Sequence, residues 1–451
     1  HTVEDIFALS PLQNGSYYHT LSGHGSNVYF EQMNYRLEGS LDIHFAEEAL
    51  NIILSRHGSL RANFFHQGLE MPVQVISRDK RVPFTVIDYS DRKVSDHMIE
   101  EIKLMDREKS FSLQDDVLFR VIIVCLPSDS FEVIWSHHHI IMDGWCNTIL
   151  FREYQEIYQQ LQAGRCPSLP TAPQYKSYIQ WLQERTDACD TFWKRYLADF
   201  QPRSGFLVKT SGISKSTIYK HERRWKHIGK DVSTDIRYLL KDLQCTEASF
   251  FHAIWGIILM RYNMSNDVVF GSIVSGRPPA LNYIEEIVGL FINCIPVRIM
   301  ANDDTAFIQL LQKTQAQSLS CQNYHYTALS EIMASVGGET LFNTILTFEN
   351  YPLDNDEDKT TDLKRISEVT VFEETNYDFN LVVFPDEGFI LRADFNSNRI
   401  SPEMVEKIMT DVHTFIGQVA SNPQILIRSL QLSEANTDSE HSILLTKLTE
   451  L

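Results

Sequence analysis

Trp135-Ser136-His137-His138-His139-Ile140-Ile141-Met142-Asp143-Gly144-Trp145 is the densest group of chemistry-bearing residues in the chain. Strand-forming residues at 131–137 lead into the histidines, an Asp-Gly pair marks a turn, and a helix follows. Leu150, Tyr154, Ile157, Tyr158 and Leu161 recur at the helical period, so that helix is predicted from Asn147, with Gly164 as its stop. Upstream, residues 117–126 are a continuous apolar run closed by Pro127, which predicts a buried strand forming a hairpin with 131–137.

The alternation continues outward. Leu50, Ile53 and Leu54 predict a helix that runs into Ser55-Arg56-His57-Gly58-Ser59-Leu60-Arg61. A polar, Pro-containing connector at 166–174 precedes a helical stretch at 175–200 and a loop at 201–216. Phe250, Phe251, Ile254, Trp255, Ile258, Leu259 and Tyr262 stripe a further helix, and residues 267–274 read as a strand ended by Ser275-Gly276-Arg277-Pro278-Pro279. Residues 354–362 are an acidic loop, and 381–395 are two strands about Pro385-Asp386-Glu387-Gly388. The class is α/β.

The 451 residues, 43% apolar and 22% charged, suffice for a substantial core. With 59 acidic against 40 basic residues the net charge is −19, which excludes a broad nucleic-acid footprint. Seven scattered cysteines without a C-x-x-C pair fit a reduced, cytoplasmic setting and buried thiols. Glu4 and Asp5 occupy the place of a signal peptide's basic region, and the apolar stretch at 250–260 is too short to span a bilayer. The chain opens at His1 and loses patterning from Glu434, so it reads as a monomeric piece of a longer protein, with 434–451 a linker stub.

Histidine suits proton handling near neutral pH. Neighbouring strand residues face opposite ways, so one of His138 and His139 packs while the other is presented. No metal is predicted, because the ligands would need one face and further partners. The chain has no G-x-S-x-G elbow, no phosphate-binding Gly-Lys loop and no G-x-G-x-x-G. Cys146 opens a helix but lacks an orienting partner, so it reads as packing.

His138-His139-Ile140-Ile141-Met142-Asp143-Gly144 resembles the HHxxxDG signature of nonribosomal peptide synthetase condensation domains. Leu9-Ser10-Pro11-Leu12-Gln13-Asn14-Gly15, Arg56-His57-Gly58-Ser59-Leu60-Arg61-Ala62-Asn63-Phe64, Tyr175-Lys176-Ser177-Tyr178-Ile179-Gln180-Trp181 and the Val288-Gly289-Leu290-Phe291-Ile292-Asn293-Cys294-Ile295-Pro296-Val297-Arg298 run resemble further motifs of that family, in order. The resemblance implies two chloramphenicol-acetyltransferase-like lobes, 1–173 and 174–433, forming a V-shaped pseudo-dimer with a central tunnel. Donor and acceptor peptidyl carrier proteins would reach it with substrates on phosphopantetheine arms, no cofactor being bound covalently, and an adenylation domain would lie alongside.

The resemblance also assigns roles. His139 becomes the catalytic group, as base or as positioner of amine and intermediate, with His138, Asp143 and Gly144 completing the motif. His138 packs. Asp143 pairs with Arg61 and holds the motif loop. Gly144 gives a tight turn and a clear channel wall, and Trp145 is core. Asn293 lines the tunnel, and Ser275, Gly276 and Arg277 form a loop bridging the lobes beneath it. The LSPxQxG, Met142-Asp143-Gly144-Trp145-Cys146 and Phe348-Glu349-Asn350-Tyr351-Pro352 segments resemble the DCL subtype, which joins a D-configured donor to an L-configured acceptor in antibiotic biosynthesis. An epimerisation domain of the same fold, a silent platform recruiting carrier proteins or an oxygenase, and a free-standing acyltransferase using coenzyme A are the alternatives; the intact set His139, Asp143 and Arg61 argues against the platform.

Overall fold

A computed structural model describes residues 2–22, 29–185, 188–201, 219–338, 340–349, 366–373 and 377–433. The Asn350-Tyr351-Pro352 segment, the acidic loop at 354–362, most of the 201–216 loop and the stub at 434–451 lie outside the described residues.

The first half carries β1 (Val3–Ala8), α1 (Pro11–Ser22), β2 (Phe30–Glu38), α2 (Ile43–Arg56), β3 (Ala62–Phe65), β4 (Val73–Ser77), β5 (Phe84–Asp88), α3 (Asp96–Glu108), β6 (Phe119–Leu126), β7 (Ser130–His138) and α4 (Gly144–Gln162). Helices α5 (Lys176–Gln183) and α6 (Ala188–Tyr196) lead into β8 (His221–Ile228), α7 (Lys230–Leu243), α8 (Glu247–Tyr262), β9 (Asp267–Val274), β10 (Asn293–Met300), α9 (Phe307–Cys321) and α10 (Leu329–Ser335). The chain then forms β11 (Thr344–Phe348), β12 (Ile366–Glu373), β13 (Phe379–Pro385), β14 (Phe389–Asn396) and α11 (Pro402–Ser421).

Two cores result. In the first, α2 and α4 bury Ala49, Ile53, Ile149, Leu150 and Ile157 against a five-stranded sheet of order β12-β2-β7-β6-β5. In the second, α8 lies beside a six-stranded sheet of order β10-β9-β11-β13-β14-β8. Every residue of α8 from Ser249 to Met260 is buried, which explains an apolar composition broader than one stripe: the helix has the sheet on one side and other helices on the rest. A small sheet, β1-β4-β3, flanks the first core.

One strand leaves its own half. β12 pairs antiparallel with β2, so the late part of the chain supplies an edge strand to the early sheet before β13 returns to the other sheet. In register, Glu373 stands opposite Glu31, and Glu31 opposite His137. Directly opposed strand residues share a face. A row of two carboxylates and a histidine therefore crosses three strands at the end of β7 where His138 and His139 follow.

Candidate active site

α1 is the first element to hold the histidine turn. Ser10 and Gln13 cap its start reciprocally: the Gln13 N–H donates to the Ser10 hydroxyl and the Ser10 N–H to the Gln13 side-chain carbonyl. The Gln13 amide then donates to the Ile140 carbonyl at 3.1 Å, fixing the turn after β7. His138 is bound into that turn. Its Nδ1 accepts from the Ile140 N–H at 3.1 Å, which leaves the proton on Nε2, 3.3 Å from the Thr20 hydroxyl. Burial, with the two neighbouring histidines, pushes His138 down to about 3, so it is a neutral packing group.

His139 is placed differently. Its backbone N–H donates to the Tyr29 carbonyl at 2.7 Å, and its side chain keeps 14% exposure. Its Nε2 lies 3.8 Å from the Glu31 carboxylate, which His137 approaches at 3.2 Å from the other side. Burial works against a charge on His139, but Glu31, Glu373 and Asp143 outweigh it and raise its pKa above the usual 6.5. Burial likewise pushes the Glu31 carboxyl up, but the rings of His137 and then His139 hold it at about 2. The sequence drew attention to the histidines but not to Glu31 or Glu373. Polar Gln32 and Asn34 stand beside Glu31 in Phe30-Glu31-Gln32-Met33-Asn34, so no local pattern marked it as a buried carboxylate in need of a cationic partner.

Asp143 does not pair with Arg61. It is 1% exposed, and its Oδ2 accepts from the backbone N–H groups of Phe291 and Ile292 at 2.9 and 3.0 Å. Its Oδ1 faces Arg277 at 3.4 Å and the Cys146 thiol at 3.3 Å. Arg277 also donates to the carbonyls of Ile284 and Ile287 at 2.5 and 2.9 Å, and its guanidinium lies 4.2 Å from the Phe291 ring centre. Arg61 instead donates to the carbonyls of Leu54, Ser55 and Ser77 and to Glu4 at 2.6 Å. Its fork suits several converging oxygens, and the end of α2 offers carbonyls without helical partners.

Residues 288–292 form a strap sewn to the first half of the chain. Ser59 donates to the Val288 carbonyl at 2.8 Å, and Tyr175 to the Leu290 carbonyl at 2.6 Å. The Gly289 N–H points at the Cys146 sulfur at 3.4 Å. Burial first, and Asp143 next, push the Cys146 thiol up to about 12, which removes it as a nucleophile. Trp145 is half-buried, and its indole donates to the Glu285 carbonyl across the same junction at 3.3 Å. Gly276 holds the opposing loop at φ +63°, where an added Cβ would lie 1.8 Å from the Phe291 carbonyl oxygen. Ser275 beside it is exposed.

Two further roles change. Asn293 is 4% exposed, and its amide donates to the carbonyls of His325 and Thr327 at 2.8 and 2.6 Å, so it clamps that turn instead of presenting its amide to a passage. Gly144 is the first residue of α4 and is not at positive φ, so the turn there does not call on glycine's conformational freedom.

The two α/β halves, with a presented histidine at the end of β7, have the fold of solved condensation domains. The sequence matches the condensation-domain family over residues 3–440, and the chain belongs to that family, whose members form amide bonds. It is 33% identical over 439 residues to gramicidin S synthase 2 of Brevibacillus brevis, covering 95% of this chain and 10% of that protein. It is 31% identical over 451 residues to surfactin synthase subunit 3 of Bacillus subtilis (strain 168), covering 99% and 35%. The chain therefore spans about a third or less of these curated relatives. Among solved structures, the X-domain in complex with OxyB from teicoplanin biosynthesis has the same fold, with TM-score 0.81, 17% identity and coverage of 97% of this chain and 98% of that one. The first condensation domain of the calcium-dependent antibiotic synthetase matches at TM-score 0.76 and 16% identity, covering 96% and 100%.

Asp143→Asn is expected to lower stability by about 3–5 kcal/mol, because Arg277 then stays buried without its anion. In double-mutant cycles read by denaturant unfolding, Asp143 and Arg277 are expected to couple. Asp143 and Arg61 are expected to add within about 0.5 kcal/mol, and strong coupling between them would restore the direct pair.

The His139 ring is expected to titrate above 6.5 by NMR, and Glu31→Gln to bring its midpoint down. Because the folded-state value is raised, the charged ring stabilises the fold below its unfolded pKa, and that contribution is lost as pH rises through the folded value. A wild-type midpoint below the ordinary value would contradict the dominance of the carboxylates.

Proposed function

We propose that this chain joins a carrier-bound aminoacyl or peptidyl thioester to the amine of a carrier-bound L-aminoacyl group, within a larger peptide synthetase. The carrying observation is His139: its imidazole is partly exposed beside Glu31, while His138 and Asp143 are consumed by the fold. The relatives' names, gramicidin and surfactin synthases, support an assembly line for peptide antibiotics. In this reading the lobes are 1–173 and 174–433, carrier proteins deliver phosphopantetheine-bound substrates to a passage between them, an adenylation domain adjoins, and the setting is cytoplasmic. Both substrates arrive on carriers, so the domain itself needs no covalent cofactor.

The donor thioester is already activated, so the protein's work is to position the amine and stabilise the tetrahedral oxyanion. The Glu31, Glu373 and Asp143 charges favour the protonated ring over the neutral one. His139 therefore fits a hydrogen-bond donor to the oxyanion better than a general base. The first-motif, Met142–Cys146 and Phe348-Glu349 segments support a D-configured donor terminus.

In a carrier-to-carrier transfer assay, His139→Ala is expected to lower product formation by about 10²–10³-fold. Its melting transition is expected to stay intact; undiminished product would remove His139 from the chemistry. Matched donors differing only in terminal configuration are expected to separate, with the D-form reaching product and the L-form failing. Equal transfer of both, or transfer of the L-form alone, would overturn the subtype.

A further inference from the structure

The acceptor amine must shed a proton before it can attack. A free α-amino group has a pKa of about 7.7–8.0, so at neutral pH it arrives largely as ammonium. Three groups stand at the reacting end of β7, and two are already committed. His139 faces the Glu31 carboxylate at 3.8 Å. Glu31 is buried between His139 and His137, and His137 is wholly buried, with Nε2 3.2 Å from Glu31. The third group is Glu373. It comes from the other half of the chain on the exchanged strand, stands opposite Glu31 in register, and keeps access to solvent. Among the described residues no hydrogen bond to its carboxylate is among the influences on that group.

We infer that Glu373 takes the proton from the acceptor ammonium, leaving His139 to position the amine and the oxyanion. This deepens the amide-forming reading and rests on it. The charged groups facing Glu373 are Glu31 on β2, His139 after β7, and Arg392 and Asp394 on β14. Arg392 is committed to Asp394 at 2.7 Å, and Asp394 also accepts from Arg223 at 2.6 Å. Two carboxylates in opposition cannot both be comfortably ionised. Although the residue reaches solvent, the density of protein around its carboxyl desolvates it. That effect first, then the Glu31 charge, raise the Glu373 pKa, while Glu31 stays ionised between its histidines. A carboxyl of raised pKa is a stronger base than an ordinary one, which suits it to an ammonium.

The step balances simply. The ammonium gives one proton to the Glu373 carboxylate and becomes a neutral amine. The amine nitrogen attacks the thioester carbonyl carbon, forming C–N and placing a negative charge on oxygen. Collapse breaks C–S, the nitrogen's surplus proton passes to the departing thiolate, and Glu373 returns its own proton to solvent. The products are an amide, a thiol and one released proton.

The test is Glu373→Gln in the intact chain, with carrier-bound donor and acceptor, followed from about pH 6.5 to pH 9.5. Relative to wild type, the variant is expected to lose at least about ten-fold in rate at the acid end, and to regain the wild-type rate well above the amine pKa of about 8. Glu373→Asp is expected to recover part of the acid-side rate. Removing one of two opposed carboxylates also predicts a melting midpoint no lower than wild type. Superimposable pH profiles would overturn the inference, and so would a loss of equal size at every pH, which marks a structural role. Absence of product from the wild-type chain would instead defeat the amide-forming reading, and this inference with it.

Discussion

The carboxylate of Asp143 is buried at the junction of the two halves, where water cannot solvate it. It accepts two backbone N–H groups from the strap at 288–292, faces the Arg277 guanidinium and sits at the N-terminus of α4. Together these contacts make a buried charge tolerable. The same residue ends the turn that begins at His138. The chemistry-bearing side chain and the inter-lobe contact are thus separated by four positions of one turn, and neither can shift far without the other.

Around that anchor, two adjacent histidines are driven in opposite directions by their surroundings. His138 is enclosed by α1 and its own turn, finds no carboxylate among the described residues, and is held neutral by burial. One residue on, His139 turns toward the row formed by Glu373, Glu31 and His137, where anions outweigh burial. Strand alternation is what separates them: a one-residue step moves a side chain from one face of the sheet to the other. The pair needs no difference in residue type, only a difference in which face holds the glutamates.

Local patterns were readable in the sequence where a single element decides them. The stripe from Phe250 to Tyr262 identifies α8, the apolar run at 267–274 coincides with β9, and Pro385-Asp386-Glu387-Gly388 marks the turn between β13 and β14. The helix predicted from Asn147 starts at Gly144, one turn earlier, because Asp143 occupies the N-cap position. Pairings between distant segments were not readable. Arg61 and Asp143 looked complementary in charge, yet backbone carbonyls at the end of α2 claim the guanidinium and backbone N–H groups of the strap claim the carboxylate. Complementary charge does not reveal competition from main-chain groups. The Glu31–Glu373 opposition depends on a strand register between segments more than 300 residues apart, which no local period encodes.

That exchanged strand also shapes how the polypeptide is made. β2 is left with a bare edge until residue 373 has been synthesised, long after β7 has covered its other side. An uncovered edge strand is an invitation to pair with a foreign chain. On the ribosome, where domains begin to fold as they emerge, the early half must wait with that edge open for its late partner. A chimera cut between the halves would inherit the same exposure permanently unless both parents presented β12 in matching register.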